Sequence, residues 1–154
     1  MDKQFGRNLF ILTNKLRRLL DKRYSKNGLY IGQARMLVYL YHHKDQKTYQ
    51  KDIEEAFQIR SGTVTGVIDN LITQDLLLRI ESETDKRKRK ILLTPKGEDA
   101  ALQCIETIAD VESSLSNILS EEERVVFDNL LIKINKWVDE EELKWKSFLN
   151  ILIQ

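Results

Sequence analysis

The sequence predicts a mainly α-helical chain that carries one small β-hairpin. Helices are favoured because the 154 residues include only one proline and six glycines, the residues that most often interrupt a helix. The hairpin is indicated by two apolar segments of strand length, Leu76–Ile80 and Ile91–Leu93, which flank a strongly charged segment. The length corresponds to about one domain, and 42% hydrophobic residues are enough to fill a core.

The first part of the chain is predicted to hold three helices. A long amphipathic helix comes first, because apolar residues recur at spacings of four and three at Phe5, Leu9, Leu12, Leu16 and Leu19. Gly28 is expected to mark its end. A second helix is predicted roughly from Gly32 to His43, and Thr48 is expected to open a short third helix that ends in the turn 58–60.

A fourth helix follows at once and completes a predicted helix-turn-helix. Ser61 is expected to be its N-cap, and one apolar face is formed by Val64, Val67, Ile68 and Leu71. The opposite face presents small and polar residues that allow close approach to a nucleic-acid groove. Candidate contacts to phosphates or base edges on this helix are Arg60, Ser61, Thr63, Thr65 and Asn70. Thr48 and Gln50 are candidates for holding phosphate through backbone N–H groups at the start of the third helix.

Five consecutive basic residues, Lys86 to Lys90, are the strongest indication of function. They are expected to project from the loop of the hairpin, because like charges so close together repel each other and are not accommodated in a core. A phosphate backbone would neutralise them. The net charge is only +1, so this basicity is local, and it predicts a limited contact surface for nucleic acid.

The last part of the chain is predicted to form two long helices. Thr94 is expected to cap the first of them, with Pro95 at its first position. Ser120, followed by three glutamates, signals the start of the second. This last helix is too apolar for a lone surface helix, which predicts a subunit interface formed by residues that include Leu130, Leu131, Ile134, Trp137, Trp145, Phe148, Leu149 and Leu152.

Several classes of protein are disfavoured by the composition. The single cysteine, Cys104, excludes an internal disulfide, and the first residues lack the apolar run of a signal peptide, so we expect a cytoplasmic protein. No stretch approaches the roughly 18 apolar residues that cross a bilayer. His42 and His43 point about 100° apart on a helix, which disfavours a shared metal. With no phosphate loop or pairing of a nucleophile with a base, we expect no enzyme, metal or cofactor.

The order of these motifs resembles the MarR family of bacterial winged-helix transcriptional regulators over nearly the whole chain. The matching segments are Ser61–Leu71, Leu76–Arg79, Asp85–Arg87 and Leu93–Gly97. The resemblance implies a winged helix-turn-helix at 32–94 and a helical dimerisation region at 1–31 and 95–154. In this sequence Gly66 stands where many members have arginine, and Asp75 where many have glycine.

The resemblance also implies how such a protein would act. Asp85 and Arg87, with Lys86 between them and Lys88 beyond, occupy the positions of the family's wing element, in which the carboxylate orients an arginine in the minor groove. The implied protein is a homodimeric repressor that binds a near-palindromic duplex operator and is released by a small-molecule effector. Two other readings remain open at this point. One is a protein-protein assembly module, and the other is a metal- or oxidant-sensing regulator that needs His42, His43 and Cys104 to converge with carboxylates.

Overall fold

The computed structural model describes residues 4–81 and 88–152, and the side chains of these as far as residue 145. The elements are helices α1 to α6 and strands β1 and β2, with one 3-10 turn at Ser25–Asn27 after α1. The helices are α1 Phe5–Tyr24, α2 Ile31–His42, α3 Gln50–Phe57, α4 Ser61–Thr73, α5 Pro95–Asn117 and α6 Glu121–Leu152, and the strands are β1 Leu77–Glu81 and β2 Arg89–Leu93. The predicted fold class, mainly helical with one hairpin wing, is confirmed. The chain divides into two compact units, 1–110 and 111–154.

The core of the first unit is built mainly from α2, α4 and the hairpin, with other helices such as α3 adding further buried residues. Met36, Leu37 and Ile53 are almost fully enclosed, and so are Leu77 and Ile91 on facing strands. The predicted apolar face of α4 is confirmed, since its buried residues are Val64, Val67, Ile68 and Leu71. This face holds α4 against the core and leaves its other side exposed.

The turns of the first unit are set by local chemistry. Gly28 takes the left-handed conformation, with φ of 71°, after the 3-10 turn, as expected for the end of the first helical segment. Thr94 caps α5, because its Oγ1 accepts a hydrogen bond from the Gly97 N–H at 2.9 Å, and Pro95 is the first helical residue. Gly97 has no room for a side chain, because a Cβ there would lie 2.0 Å from the Leu76 carbonyl oxygen.

The hairpin corrects part of the expectation for the basic run. Only some of these charges lie in the connecting loop, because Arg89 and Lys90 belong to β2 and pair with Glu81 and Ile80. Their side chains therefore alternate between the two faces of the hairpin. Asp85, Lys86 and Arg87 lie outside the described residues.

Two helix starts also differ from the sequence-based expectation. Ser61 is not the N-cap of α4, because the extended residue before the helix is Arg60, and this end has no side-chain capping hydrogen bond. The third helix begins at Gln50, after Tyr49, which is its N-cap and forms an isolated antiparallel bridge with Lys90 of β2. Strand pairing fixes the backbone at Tyr49, so the helix starts two residues later than Thr48.

The second unit consists of the end of α5 and the whole of α6. The predicted helix start at Ser120 is confirmed, and Ser120 and Glu123 form a reciprocal capping arrangement there. The Ser120 N–H donates to Glu123 Oε2 at 2.8 Å, and the Glu123 N–H donates to Ser120 Oγ at 3.3 Å. Most apolar side chains of α6 are exposed, with both Trp137 and Trp145 at 61%. Within the part of the chain that the structure describes, no helix is long and apolar enough to cross a membrane.

Candidate nucleic-acid interface

A cleft of about 470 Å³ lies where α3, α4 and the hairpin meet. The backbone positions it, because Tyr49 at the start of α3 bridges to β2 while α4 packs its apolar face into the core. The lining residues carry more positive than negative charge, and they are Tyr49, Gln50, Lys51, Asp52, Thr65, Arg79, Lys88, Arg89 and Ile91. Such a surface suits an anionic partner.

Gln50 connects α3 to α4 at one wall of this cleft. Its Nε2 donates to Thr65 Oγ1 and Glu54 Oε1, both at 2.9 Å, and lies 3.4 Å from Ser61 Oγ. Hydrogen bonds from Ser61 and then from Gln50 lower the pKa of the Glu54 carboxyl. Three predicted contact residues, Gln50, Ser61 and Thr65, are therefore brought together, and the accepting Thr65 hydroxyl keeps its own hydrogen for donation.

Arg60 and Thr63 lie at the exposed start of α4. The Arg60 carbonyl accepts the Thr63 and Val64 N–H groups at 2.9 and 3.2 Å, so this end of the helix is regular although no side chain caps it. The Arg60 and Thr63 side chains both face solvent beside Gly62. The small residues Gly62 and Thr63 permit close approach of a duplex, and the long Arg60 side chain can reach a phosphate beside them.

Thr48 and Asn70 occupy different surroundings from the other candidates. Thr48 is buried, and its carbonyl accepts the Ile91 N–H at 2.9 Å, which ties β2 to the segment before α3. The Asn70 Oδ1 accepts hydrogen bonds from the buried Gln33 of α2 and, at 2.6 Å, from Gln74. Both residues thus serve the packing of the elements that carry the surface.

Lys88 is the one candidate from the predicted wing element that lies within the described residues. Its Nζ lies 5.9 Å from the centre of the Tyr49 ring, within the range of a cation–π contact. Lys88 is exposed. The contact places a positive charge at the edge of the cleft, immediately before β2.

An ion pair that sequence reasoning missed joins the hairpin to α4. Arg79 Nη2 of β1 lies 2.8 Å from Asp69 Oδ1 on the outward face of α4. A signal was present, because Arg79 follows Leu77 by two residues and strand alternation places both on one face. An arginine on the face that carries a core leucine requires an anionic partner.

The residues considered for sensing chemistry are not arranged as a site. Cys104 is buried, and burial raises the pKa of its thiol to about 11, which leaves little reactive thiolate at neutral pH. His43 Nδ1 lies 2.8 Å from the Tyr39 carbonyl oxygen, and its ring stacks on Tyr39. Among the described residues, no three histidine, cysteine or acidic side chains gather as metal ligands. Nothing here favours the metal- or oxidant-sensing alternative.

A helix-turn-helix followed by a two-stranded basic wing defines a winged-helix protein. The family model described as MarR family matches residues 27–88 of this chain. The HTH-type transcriptional regulator MhqR of Bacillus subtilis (strain 168) is 30% identical over 130 residues, which span 82% of this chain and 88% of that protein. The chain belongs to the MarR family of transcriptional regulators.

Other relatives agree with this assignment. The HTH-type transcriptional repressor YetL of Bacillus subtilis (strain 168) is 25% identical over 124 residues, covering 80% of this chain and 74% of that protein. The crystal structure of the Staphylococcus aureus MepR-DNA complex matches with a TM-score of 0.79 at 25% identity, over 87% of this chain and 97% of that chain.

Proposed function

We propose that this protein is a homodimeric repressor that binds a near-palindromic DNA operator and is released by a small-molecule effector. Residues 32–94 form the DNA-binding region in this proposal, and 1–31 with 95–154 form the dimerisation region. The protein acts without a cofactor, as a cytoplasmic regulator and not as an enzyme. Support for DNA as the partner comes from the solved MepR complex with DNA, which shares the fold.

The observation that carries the proposal is the contrast between the two faces of α4. The inner face is apolar and buried, whereas the outer face carries Gly62 and Gly66, where an added Cβ would meet nothing within 4 Å. Glycine in an exposed helix costs about 1 kcal/mol relative to alanine. Since no neighbour among the described residues needs this space, the two glycines are best explained by an external surface that comes close to the helix backbone.

The proposed contacts divide into two classes. In the helix-turn-helix, Gln50, Arg60, Ser61, Thr63 and Thr65 provide phosphate and base-edge contacts, with Thr48 and Asn70 supporting the elements that carry them. In the wing, Asp85 orients Arg87 in the minor groove, while Lys86 and Lys88 neutralise phosphates. Phosphate contacts position the protein, and groove contacts supply sequence preference.

The proposed dimer rests on exposed apolar surface at both ends of the chain. Phe5 and Phe10 of α1 are 65% and 75% exposed, and the apolar residues of α6 are similarly open. A second copy of the chain would cover these surfaces. Symmetry would then place the two copies of α4, the recognition helix of each chain, on one side of the duplex, with half-sites about 10 to 10.5 base pairs apart.

The decisive experiment measures the salt dependence of duplex binding in the intact protein. The probes are a duplex selected from random DNA by the unmodified protein and a shuffled duplex of the same length. We expect affinity to fall steeply with salt because bound phosphates release counterions. Arg87→Ala should weaken binding to the selected duplex by about 1 to 3 kcal/mol. Lys88→Ala should weaken binding to both duplexes alike and lower the slope of the salt dependence by about one.

The matched control is Lys26→Ala, which removes an exposed lysine from the 3-10 turn. This variant should retain both the affinity and the salt slope of the unmodified protein. Equal binding by the unmodified protein and all three variants would exclude the wing from DNA recognition. Absence of any salt-dependent duplex binding would favour the protein-protein assembly module instead.

A further inference from the structure

The carboxylate of Asp69 is out of place on the outer face of the recognition helix. Its side chain is 55% exposed, and it shares this face with the open positions of Gly62 and Gly66. A negative charge here would repel the phosphate backbone that the proposed function brings against the same surface. An acid three residues from Gly66 is compatible with DNA binding at this surface if another group neutralises its charge.

Arg79 has the opposite difficulty. It lies on the inner face of β1, in register with Ile91, which is almost fully buried. Its side chain is only 23% exposed, and a cation so far removed from water needs an anion to offset the cost of desolvation. The 2.8 Å contact between Arg79 Nη2 and Asp69 Oδ1 resolves both difficulties, because each charge neutralises the other.

The ion pair also adds a side-chain contact between α4 and β1, two elements that the turn at 74–76 connects. Strand β2 is tied to the segment before α3 by the Tyr49–Lys90 bridge and by the Ile91 N–H bond to Thr48. Strand β1 lies on the other side of β2 and is joined to α4 by the Arg79–Asp69 pair. One anchor thus holds the hairpin to α3, and the other holds it to the recognition helix.

We propose that Arg79 and Asp69 are a positioning pair that sets the angle of the wing relative to the recognition helix. With this angle fixed, helix and wing engage adjacent grooves of one half-site without further ordering, which lowers the entropic cost of binding. Arg79 acts through Asp69 and makes no phosphate contact of its own. The inference rests on the proposed DNA-binding function. It adds to that function two residues, Asp69 and Arg79, that are not among the proposed DNA contacts.

The sign of the Asp69→Ala effect tests this role. A positioning pair predicts that Asp69→Ala weakens binding to the selected duplex about three- to tenfold, although it removes a negative charge from the DNA-facing surface. Arg79→Ala should weaken binding to a similar extent, and the double variant should be no weaker than the poorer single one. If Arg79 instead contacts phosphate, Asp69→Ala would tighten binding and only Arg79→Ala would weaken it, which would overturn the proposal.

Amide hydrogen exchange without DNA provides a second measurement on the same proteins. Loss of either partner should speed exchange in β1 and β2, while α2 keeps its protection. Asp69→Asn guards against loss of folding, because it retains the shape and a hydrogen-bond acceptor while removing the charge. Unchanged hairpin exchange in all of these variants would refute the positioning role.

The matched controls break a different tertiary ion pair. Lys44 Nζ lies 3.3 Å from Glu98 Oε2, and both side chains are 43% exposed, so Lys44→Ala and Glu98→Ala remove a comparable contact that includes no residue of the hairpin or of α4. Neither should alter hairpin exchange. Failure of the unmodified protein to bind the selected duplex would overturn the DNA-binding function itself. The direction in which Asp69→Ala changes the affinity, and the exchange data, test only the positioning role of Arg79 and Asp69.

Discussion

The two compact units of this chain differ in how far their apolar side chains are buried. In unit 1–110 the hydrophobic residues of α2, α4 and the hairpin close on one another, and many are almost completely buried. In unit 111–154, among the side chains that the structure describes, Val111 is the one buried hydrophobic residue. Its long helix α6 instead exposes valine, leucine, isoleucine and tryptophan.

This difference separates what one copy of the chain can stabilise from what it cannot. Burial of apolar surface contributes about 25 cal/mol per Å², and the first unit obtains this stabilisation from its own residues. The second unit leaves the same kind of surface in water, where monomeric proteins seldom expose large contiguous apolar patches. The comparison favours a DNA-binding part of the first unit, from α2 to the hairpin, that is complete in one chain, and a carboxy-terminal unit that depends on a second chain.

The largest expected effect comes from placing charge on α6. In the intact chain, Leu130→Asp with Trp137→Asp should convert the dimer to a monomer, because buried unpaired carboxylates oppose association. The affinity for specific DNA should then fall about 10² to 10⁴-fold, because each monomer binds a single half-site without the gain in affinity that comes from linking two binding regions. Sedimentation velocity and duplex binding measure the two losses.

The control for this experiment is Lys133→Ala with Lys136→Ala, two exposed polar positions on the same helix. These substitutions should leave both assembly and binding intact. A charged variant that still sediments as a dimer would place the interface elsewhere. A stable monomer formed by the unmodified protein at micromolar concentration would remove the dimer from the proposal altogether.

An intermediate effect is expected within the first unit, at Gly97. Gly97→Ala puts a Cβ 2.0 Å from the Leu76 carbonyl oxygen, so the start of α5 must move away from the residue before β1. The cost should be about 1 to 3 kcal/mol of unfolding free energy. Denaturant unfolding at one fixed protein concentration measures it, because dimer stability depends on concentration.

Gly66→Ala is the matched comparison for Gly97→Ala, because it makes the same substitution at a glycine with open space around it. Nothing lies within 4 Å of an added Cβ at Gly66, and the substitution should stabilise α4 by up to about 1 kcal/mol. A loss of unfolding free energy at Gly97 and a gain at Gly66 would show that Gly97 is needed for packing and that Gly66 leaves space on the surface. A loss of stability at Gly66 would contradict the account of the outer face of α4.

The features that the sequence predicted correctly are local ones. The buried face of α4, the Thr94 cap and the start of α6 at Ser120 each depend on residues within about one or two helical turns. Two missed features instead join separate elements. Asp69 meets Arg79 across a turn, and the buried Gln33 bonds Asn70, which lies 37 residues away. Such pairs depend on how elements pack, and side-chain periodicity does not specify the partner.

The smallest predicted effect compares two serines, each at the start of a helix. Ser120 caps α6 through the Glu123 N–H, so Ser120→Ala should lower the unfolding free energy by about 1 kcal/mol. Ser61 is the first residue of α4 and makes no capping bond. Its hydroxyl lies 3.4 Å from Gln50 Nε2 and donates to the Glu54 carboxylate, both contacts at the protein surface. Ser61→Ala should therefore change stability by less than about 0.5 kcal/mol.

Urea unfolding of both serine variants, at one protein concentration, checks this difference in stability. Duplex binding by the same variants then separates a capping role from a DNA contact. Ser120→Ala should leave the affinity for DNA unchanged wherever the protein remains folded and dimeric. Ser61→Ala should weaken DNA binding while stability stays nearly constant, because its hydroxyl lies on the surface proposed to meet phosphate. Equal stability losses at the two serines would mean that Ser61 caps α4 in solution, and its place among the DNA contacts would then lose its support.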